Sequence, residues 1–449
     1  MTVRIPRRAR GLAVAVAALC AGLPAWSIDL SQAYQAAYTQ DATLRAARAA
    51  AEARSERVPQ ARAQLLPNIS ASVTRYKNDL DRTAPDFLGR SSTSQIRYKS
   101  GSQTLTLRQP IYRKYQLADL EQARAQVEEA NATLEKETQN LAVRVSTAYF
   151  EALLTEEQLA LVLAQKTAYT TQLDSARKRL SAGAGTRTDI DEALAALDMN
   201  RAQELEARQN VGYTRQQLQT LVNQPIDTLA GLDTQRMQLL PPTPASLDEW
   251  IARSEANSPE LQALKAQFEA AQIEVEKARA GHYPTLDAIA QISKSTSETV
   301  TTVDTRYTNK SVGVQLTVPI FAGGYVNSTV RQALAEQERV SEVLEATRRD
   351  LAVRVHQQYR GITEGVLKVQ ALEQAVRSAD QAVISNRRSY EAGSRTLVDT
   401  LNAEQQRMTA LRDLAQARYV YLLSRVRLLA LAGGPHTEVI DQVNGWLKH

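Results

Sequence analysis

The stretch "KSVGVQLTVP", Lys310–Pro319, decides how this 449-residue chain folds. Val312, Val314, Leu316 and Val318 fall on one face of an extended strand, and Gly313, Gln315 and Thr317 on the other. That period of two separates the sides of a strand. "PTLDAIAQISKS" repeats the pattern, with Leu286, Ala288, Ala290 and Ile292 against Asp287, Gln291 and Ser293. Further upstream, Ile69, Ala71 and Val73 alternate with Ser70, Ser72 and Thr74, and Leu105 and Leu107 with Thr104, Thr106 and Arg108. The expected strands are about 67–78, 102–110, 284–296 and 310–319. Pro67, Pro110, Pro284 and Pro319 punctuate their ends, as expected of a residue that cannot donate to a ladder.

Outward from the strands, the chain proves to be a duplication. "LAVRVSTAY" at Leu141 returns as "LAVRVHQQY" at Leu351, a shift of 210 that also carries Gly183 to Gly393, Asp189 to Asp399 and Pro225 to Pro435. Leu44 and Pro67 map to Leu261 and Pro284 with a shift of 217, so the first copy holds a few extra residues in between. The repeats are read as 28–225 and 246–434, joined by a Pro-containing segment 226–245 and followed by a tail 435–449. Helices are expected over Leu30–Gln64, Ile111–Ser181, Thr186–Val222, Phe321–Ala392 and Thr396–Leu431, with Ser258 as an N-cap before Pro259. Apolar positions such as Leu141, Val145, Ala148, Ala152, Leu159 and Val162 are spaced in a heptad-like way. A helix from Ile111 to Ser181 would run on the order of 100 Å at 1.5 Å per residue, longer than a globular core requires.

Residues 1–27 read as an export leader, with Arg4, Arg7, Arg8 and Arg10 before the apolar run "GLAVAVAALCAGL" and "AWS" at the cleavage position. The only Cys, Cys20, leaves with it, and Leu19 before it is not the small residue a lipidation signal wants. Losing four of 54 basic residues brings the chain near balance with its 49 acidic ones. The formal charge of +5 is thus mostly the leader's and gives no footprint for nucleic acid.

Strands of about ten residues with alternating polarity suit a bilayer-crossing barrel. Tyr76, Tyr98, Tyr112, Tyr115, Tyr283, Tyr307, Phe321 and Tyr325 stand near their ends, where an aromatic girdle is expected. Two half-buried hairpins of a soluble sheet are the plainer alternative. Four strands cannot close, and open edges in lipid cost several kcal/mol per unpaired group. Copies must therefore associate: two would supply eight strands and three twelve, and long helices around a wide lumen favour three.

Several stretches resemble the TolC family of outer-membrane channels: "VPIFAGGYVNSTVRQA" from Val318, "YEAGSRTLVDTLNAEQ" from Tyr390 and "ARYVYLLSRVRLLALAGGP" ending at Pro435. The resemblance spans essentially the whole mature chain. It implies a mainly α fold with a small β part: a homotrimer with a 12-stranded outer-membrane β-barrel continuous with a periplasmic helical barrel. A mixed belt is expected from Gln224–Trp250 and the segment after Gly434. The implied role is the exit duct of a tripartite export system for proteins or drugs, with a periplasmic adaptor and an inner-membrane ABC or proton-driven transporter as partners, embedded in outer-membrane lipid.

"AGAGTRTD" and "AGSRTLVD" interrupt the long helices at Gly183 and Gly393. Thr186 to Asp189 and Thr396 to Asp399 have the spacing of a capping box. The resemblance adds a gate, with ties of Thr188 to Tyr390 and Asp189 to Arg395, and a lumenal charge ring at Asp399 favouring cations. Asn402 stands where the family's best-known pattern has a second acid, which implies a weaker ring.

No enzyme, cofactor or metal site is expected. His282, His356, His436 and His449 are scattered, and "GAGTRT" at Gly183 follows no strand and lacks the rest of a dinucleotide fingerprint. The carboxylates recur at helix-surface spacing. A soluble periplasmic coiled-coil adaptor and a lipid-anchored drug or metal efflux factor remain the alternatives. The absent lipidation signal and the "AGSRTLVD" form favour the secretion-type branch.

Overall fold

The computed structural model describes residues 27–85, 87–434 and 436–448. The leader expected over 1–27 lies outside them but for Ser27. The helices are α1 (Leu30–Gln40), α2 (Ala42–Ser55), α3 (Arg57–Ala63), α4 (Lys114–Ser181), α5 (Arg187–Val222), α6 (Leu247–Asn257), α7 (Pro259–Arg279), α8 (Tyr325–Glu391), α9 (Leu397–Leu431) and α10 (His436–Asn444). The strands are β1 (Asn68–Pro85), β2 (Ser91–Tyr112), β3 (Thr285–Thr296) and β4 (Arg306–Thr317).

Residues Arg48–Leu134 and Glu260–Thr347 form one compact unit. Its strands make one antiparallel sheet in the order β1-β2-β3-β4, so each repeat contributes a hairpin and β2 pairs with β3 across the duplication. The two hairpins are unequal. β3 and β4 have 12 residues each, whereas β1 has 18 and β2 has 22. The first hairpin therefore runs well past the bounds expected from alternation, because the added pairs, such as Lys77 with Lys99 and Asp79 with Arg97, are polar. The extra residues of the first copy fall in this stretch.

Neither face of the sheet is packed. β1 and β4 are exposed almost throughout, and Ile69, Val73, Val312, Val314 and Leu316 are 63–88% exposed. Cross-strand partners share a face, so Val312, Ala290, Leu107 and Ile69 form one apolar row. The opposite face carries Ser70–Thr106–Gln291–Ser311 and Ser72–Thr104–Ser293–Asn309. Tyr76, Tyr98 and Tyr307 fall on this hydroxyl-rich face, contrary to the expected girdle. Their parity along the strands, rather than their nearness to strand ends, settles which side they take. A register shift between Pro110 and Tyr112 brings Tyr112 opposite Leu286 on the apolar face.

Where strand meets helix, Arg113 clasps Asp287 with two bonds of 2.8 and 2.5 Å. Beyond it α4 and α7 are tied by Lys277, which reaches Asp119 at 3.0 Å and donates to Gln122 at 2.9 Å. Burial alone would lower the Lys277 pKa, but Asp119 and Glu274 raise it. Val275, Ala278 and Ala333 pack α7 against α8 through small side chains.

The other unit comprises the described residues up to Ala47, Glu135–Pro259 and those from Arg348 on. Here the single helix expected over Leu30–Gln64 is broken. The chain turns extended at Asp41 (ψ 122°) and is interrupted again at Glu56 before α3. Asp41 accepts from the Leu44 amide at 2.8 Å and pairs with Arg144 at 3.0 Å, so a buried carboxylate caps α2. Ser258, its counterpart by the 217 shift, is likewise extended (ψ 120°) between α6 and α7. Helical periodicity continues across Asp41, which is why it does not reveal that break, whereas Pro259 after Ser258 marks the second one as expected.

Segments outside the long helices meet in two isolated bridges. Ile28 bridges Leu229 in parallel and Leu232 bridges Leu447 antiparallel. The buried Tyr149 hydroxyl donates to the carbonyls of Ile28 at 3.1 Å and Ala230 at 2.9 Å. Tyr421 does the same for Leu240 at 2.8 Å.

Candidate gate at the helix tips

Both long helices end in the same way. Gly183 and Gly393 have φ of +74° and +76°, a conformation Gly reaches without the Cβ penalty. The Gly183 amide donates to Leu180 and that of Ala184 to Arg179, matched in the second copy by Gly393 to Tyr390 and Ser394 to Ser389. This pair of bonds satisfies carbonyls that the helix end leaves orphaned. No atom lies within 4 Å of where a Cβ would be at either glycine.

The restarts are equally matched. Thr186 accepts from the Asp189 amide at 3.2 Å while Asp189 accepts from the Thr186 amide at 3.0 Å. Thr396 and Asp399 repeat this at 3.3 and 3.0 Å, and the Thr396 hydroxyl adds a 2.9 Å bond to the carboxylate. The Thr396 amide and hydroxyl, with Arg395 behind them, hold Asp399 below the ordinary carboxylate pKa. Both acids are thus capping residues.

Four helices meet behind the tips. Tyr169, Leu173 and Ala176 of α4, Ala193 and Leu197 of α5, Tyr390 of α8, and Leu397 and Leu401 of α9 form one apolar cluster. Tyr390 is only 9% exposed, and the Arg179 guanidinium sits 4.5 Å over its ring. Burial, then the negative charge of Asp189, pushes the Tyr390 phenol up. The structure thus brings Tyr390 and Asp189 within electrostatic reach. Thr188 is exposed, and among the described residues no hydrogen bond joins it to Tyr390 within the chain. Arg395 turns to Asp399 one helical turn on, at 3.6 Å. Arg187 pairs similarly with Asp191 at 3.3 Å.

Sequence reasoning missed Arg179 and a polar ladder further from the tips. Gln165 donates to Tyr169 and Gln405 at 2.8 and 2.9 Å and accepts from Asn200 at 3.1 Å. Glu204 binds Lys166 at 2.6 Å and Arg208 at 2.7 Å, which holds its pKa low. Glu404 takes Arg387 at 3.1 Å. The signal was present: Ala193, Leu197, Asn200 and Glu204 share one helical stripe, so the polar pair occupies core positions.

Among the described residues no helix is long and apolar enough to cross a membrane. No cluster of three or more potential metal ligands occurs among them either.

The family described as outer membrane efflux protein matches residues 33–224 and 250–434. The chain is 34% identical over 411 residues to the alkaline protease secretion protein AprF of Pseudomonas aeruginosa, covering 91% of this chain and 85% of that protein. It is 30% identical over 449 residues to the proteases secretion protein PrtF of Dickeya chrysanthemi, covering 98% and 96%. The solved structure of the outer membrane protein VceC from Vibrio cholerae superposes with a TM-score of 0.78 at 18% identity, covering 91% of this chain and 96% of that one.

Proposed function

The chain belongs to the outer membrane efflux protein family, and on that premise we propose that it is the outer-membrane exit duct of a tripartite machine for protein secretion. One observation carries this reading: an open four-stranded sheet whose apolar face has no protein cover. Moving that face into lipid recovers on the order of 10 kcal/mol per chain at about 1.5–3 kcal/mol per aliphatic side chain. The edges of β1 and β4, each paired on one side only, then need partners. Three copies joined edge to edge give twelve strands, with the Ser, Thr, Gln and Asn face lining a water-filled lumen. The copies 28–225 and 246–434 continue into the periplasm as helices, and 226–245 with 435–449 form a belt around them.

A passive duct of this kind needs energy from an inner-membrane ABC transporter, reached through a periplasmic adaptor. The names of AprF and PrtF point to an exported protease as the cargo. Thr188 with Tyr390, and Asp189 with Arg395, are the ties that hold the tips shut between neighbouring helix pairs, and Asp399 forms the lumenal charge ring. Arg395 is suited to such an exchange because its contact with Asp399, made from just ahead of the helix start, is exposed and long. The duct reading is tested by reconstituting the purified chain in planar bilayers and by restoring protease release to a strain lacking the gene. A folded preparation that conducts no ions and restores no release refutes it.

A further inference from the structure

Just beyond the apolar band, on the same face of the sheet, six cations are gathered. β4 contributes Lys310 and Arg306, β3 Lys294, β1 Arg75 and Lys77, and β2 Lys99. Lys310 shares its row with Ile292, Leu105 and Ala71, and the next row sets Lys294 beside Val73 and Gln103. Arg306 and Arg75 flank the row above, with Thr296 and the side-chain-free Gly101 between them. Lys77 and Lys99 stand opposite each other in the last row. All six are exposed, and none has a carboxylate partner among the described residues. The first acid on this face is Asp79, which is taken by Arg97 at 3.0 Å.

The opposite face at the same height holds no cation: Thr74, Ser102, Ser295 and Tyr307 make one row, and the Ser295 hydroxyl donates to the Glu298 carboxylate. Solubility of a loop end does not require cations to be sorted to one side. Like charges set directly opposite destabilise a sheet, so Lys77 against Lys99 calls for a compensating anion. The site also continues without a break into Ile292, Leu105 and Val73, so its occupant must present an anionic head and an apolar body.

We propose that this outer face of the sheet binds the phosphate-bearing headgroup of an outer-leaflet lipid, whose acyl chains lie along the apolar rows beneath. The proposal rests on the duct reading, which puts the apolar face in lipid and the hairpin ends on the far side from the periplasmic helices. Each cation near such a surface contributes roughly a fivefold gain in affinity.

The test measures binding of fluorescently labelled lipid A to the full-length channel in zwitterionic detergent, with dephosphorylated lipid A, phosphatidylcholine and inorganic phosphate as competitors. Wild type is expected to prefer the phosphorylated lipid, increasingly so at low salt. Arg306→Gln should weaken binding about fivefold, and Lys77→Gln/Lys294→Gln/Arg306→Gln about a hundredfold. Arg82→Gln, on the opposite face, should change nothing. Equal affinity for the dephosphorylated lipid, an unchanged triple variant, or displacement by inorganic phosphate alone overturns the proposal. Should the triple variant fail to assemble, Arg306→Gln against Arg82→Gln decides. Conductance of the same preparations separates the two readings: pores without lipid preference remove the lipid site and leave the duct.

Discussion

Asp189 and Asp399 each close a helix start, and that local duty is what their Thr-x-x-Asp spacing reveals. The duty between subunits is not legible in the same way, because it depends on neighbours that spacing does not describe. The duplication nevertheless separates the two tips. Tyr390 and Arg395 correspond to Leu180 and Gly185 by the 210 shift, so the second copy supplies these two tying groups and the first copy their proposed partners, Thr188 and Asp189. Arg395→Ala combined with Tyr390→Phe should raise single-channel conductance severalfold while leaving both capping boxes intact. Unchanged conductance removes these residues from the gate. Asp41 invites a different measurement. Burial pushes its carboxyl up, yet Arg144 and the Leu44 amide outweigh this and hold it low. A lowered folded-state pKa stabilises above the unfolded value and fades as pH falls through the folded one. Arg144→Ala strands a buried carboxylate and should cost about 2–3 kcal/mol at neutral pH. In denaturant titrations that gap should narrow below about pH 4.

Among the elements, the strands of the second copy were the most readable, since β3 alternates through Leu286, Ala288, Ala290 and Ile292 and β4 through Val312, Val314 and Leu316. The first hairpin was read short because its outer half is polar but for pairs such as Leu80 with Ile96, and its ladder is held by backbone pairing and polar contacts such as Thr83 with Thr93 at 2.9 Å. The helix break at Asp41 was hidden for the opposite reason: the apolar stripe resumes in phase after it, whereas Ser258 ahead of Pro259 marked its own break. The sheet itself predicts an asymmetry between its faces. Val314→Lys places a charge among lipid-facing residues and should cost about 2–4 kcal/mol, seen as lost insertion in outer-membrane fractions. Gln315→Lys, one residue on and facing the other way, should assemble normally. Equal loss in both would contradict the assignment of the faces.

For the molecule as a whole, Cys20 is the one Cys of the sequence and is expected to leave with the leader read over residues 1–27. Single cysteines introduced at facing positions of the β1 and β4 edges therefore report on assembly without background. Oxidation should yield a ladder that stops at covalent trimers on denaturing gels, whereas a chain that remained monomeric would reject edge-to-edge closure. The fold class follows from strands, duplication and helix length, all of which are linear patterns. The belt did not come with comparable detail, because Tyr149 and Tyr421 hold it through main-chain carbonyls that no side-chain pattern encodes. The unequal hairpins leave one last mark on the assembly. Since β1 and β2 outreach β3 and β4, the proposed trimer would have a scalloped rim, with three tall arms alternating with three low ones. A short peptide tag inserted between Gly89 and Arg90 would crown each arm, and antibodies should find it on intact cells.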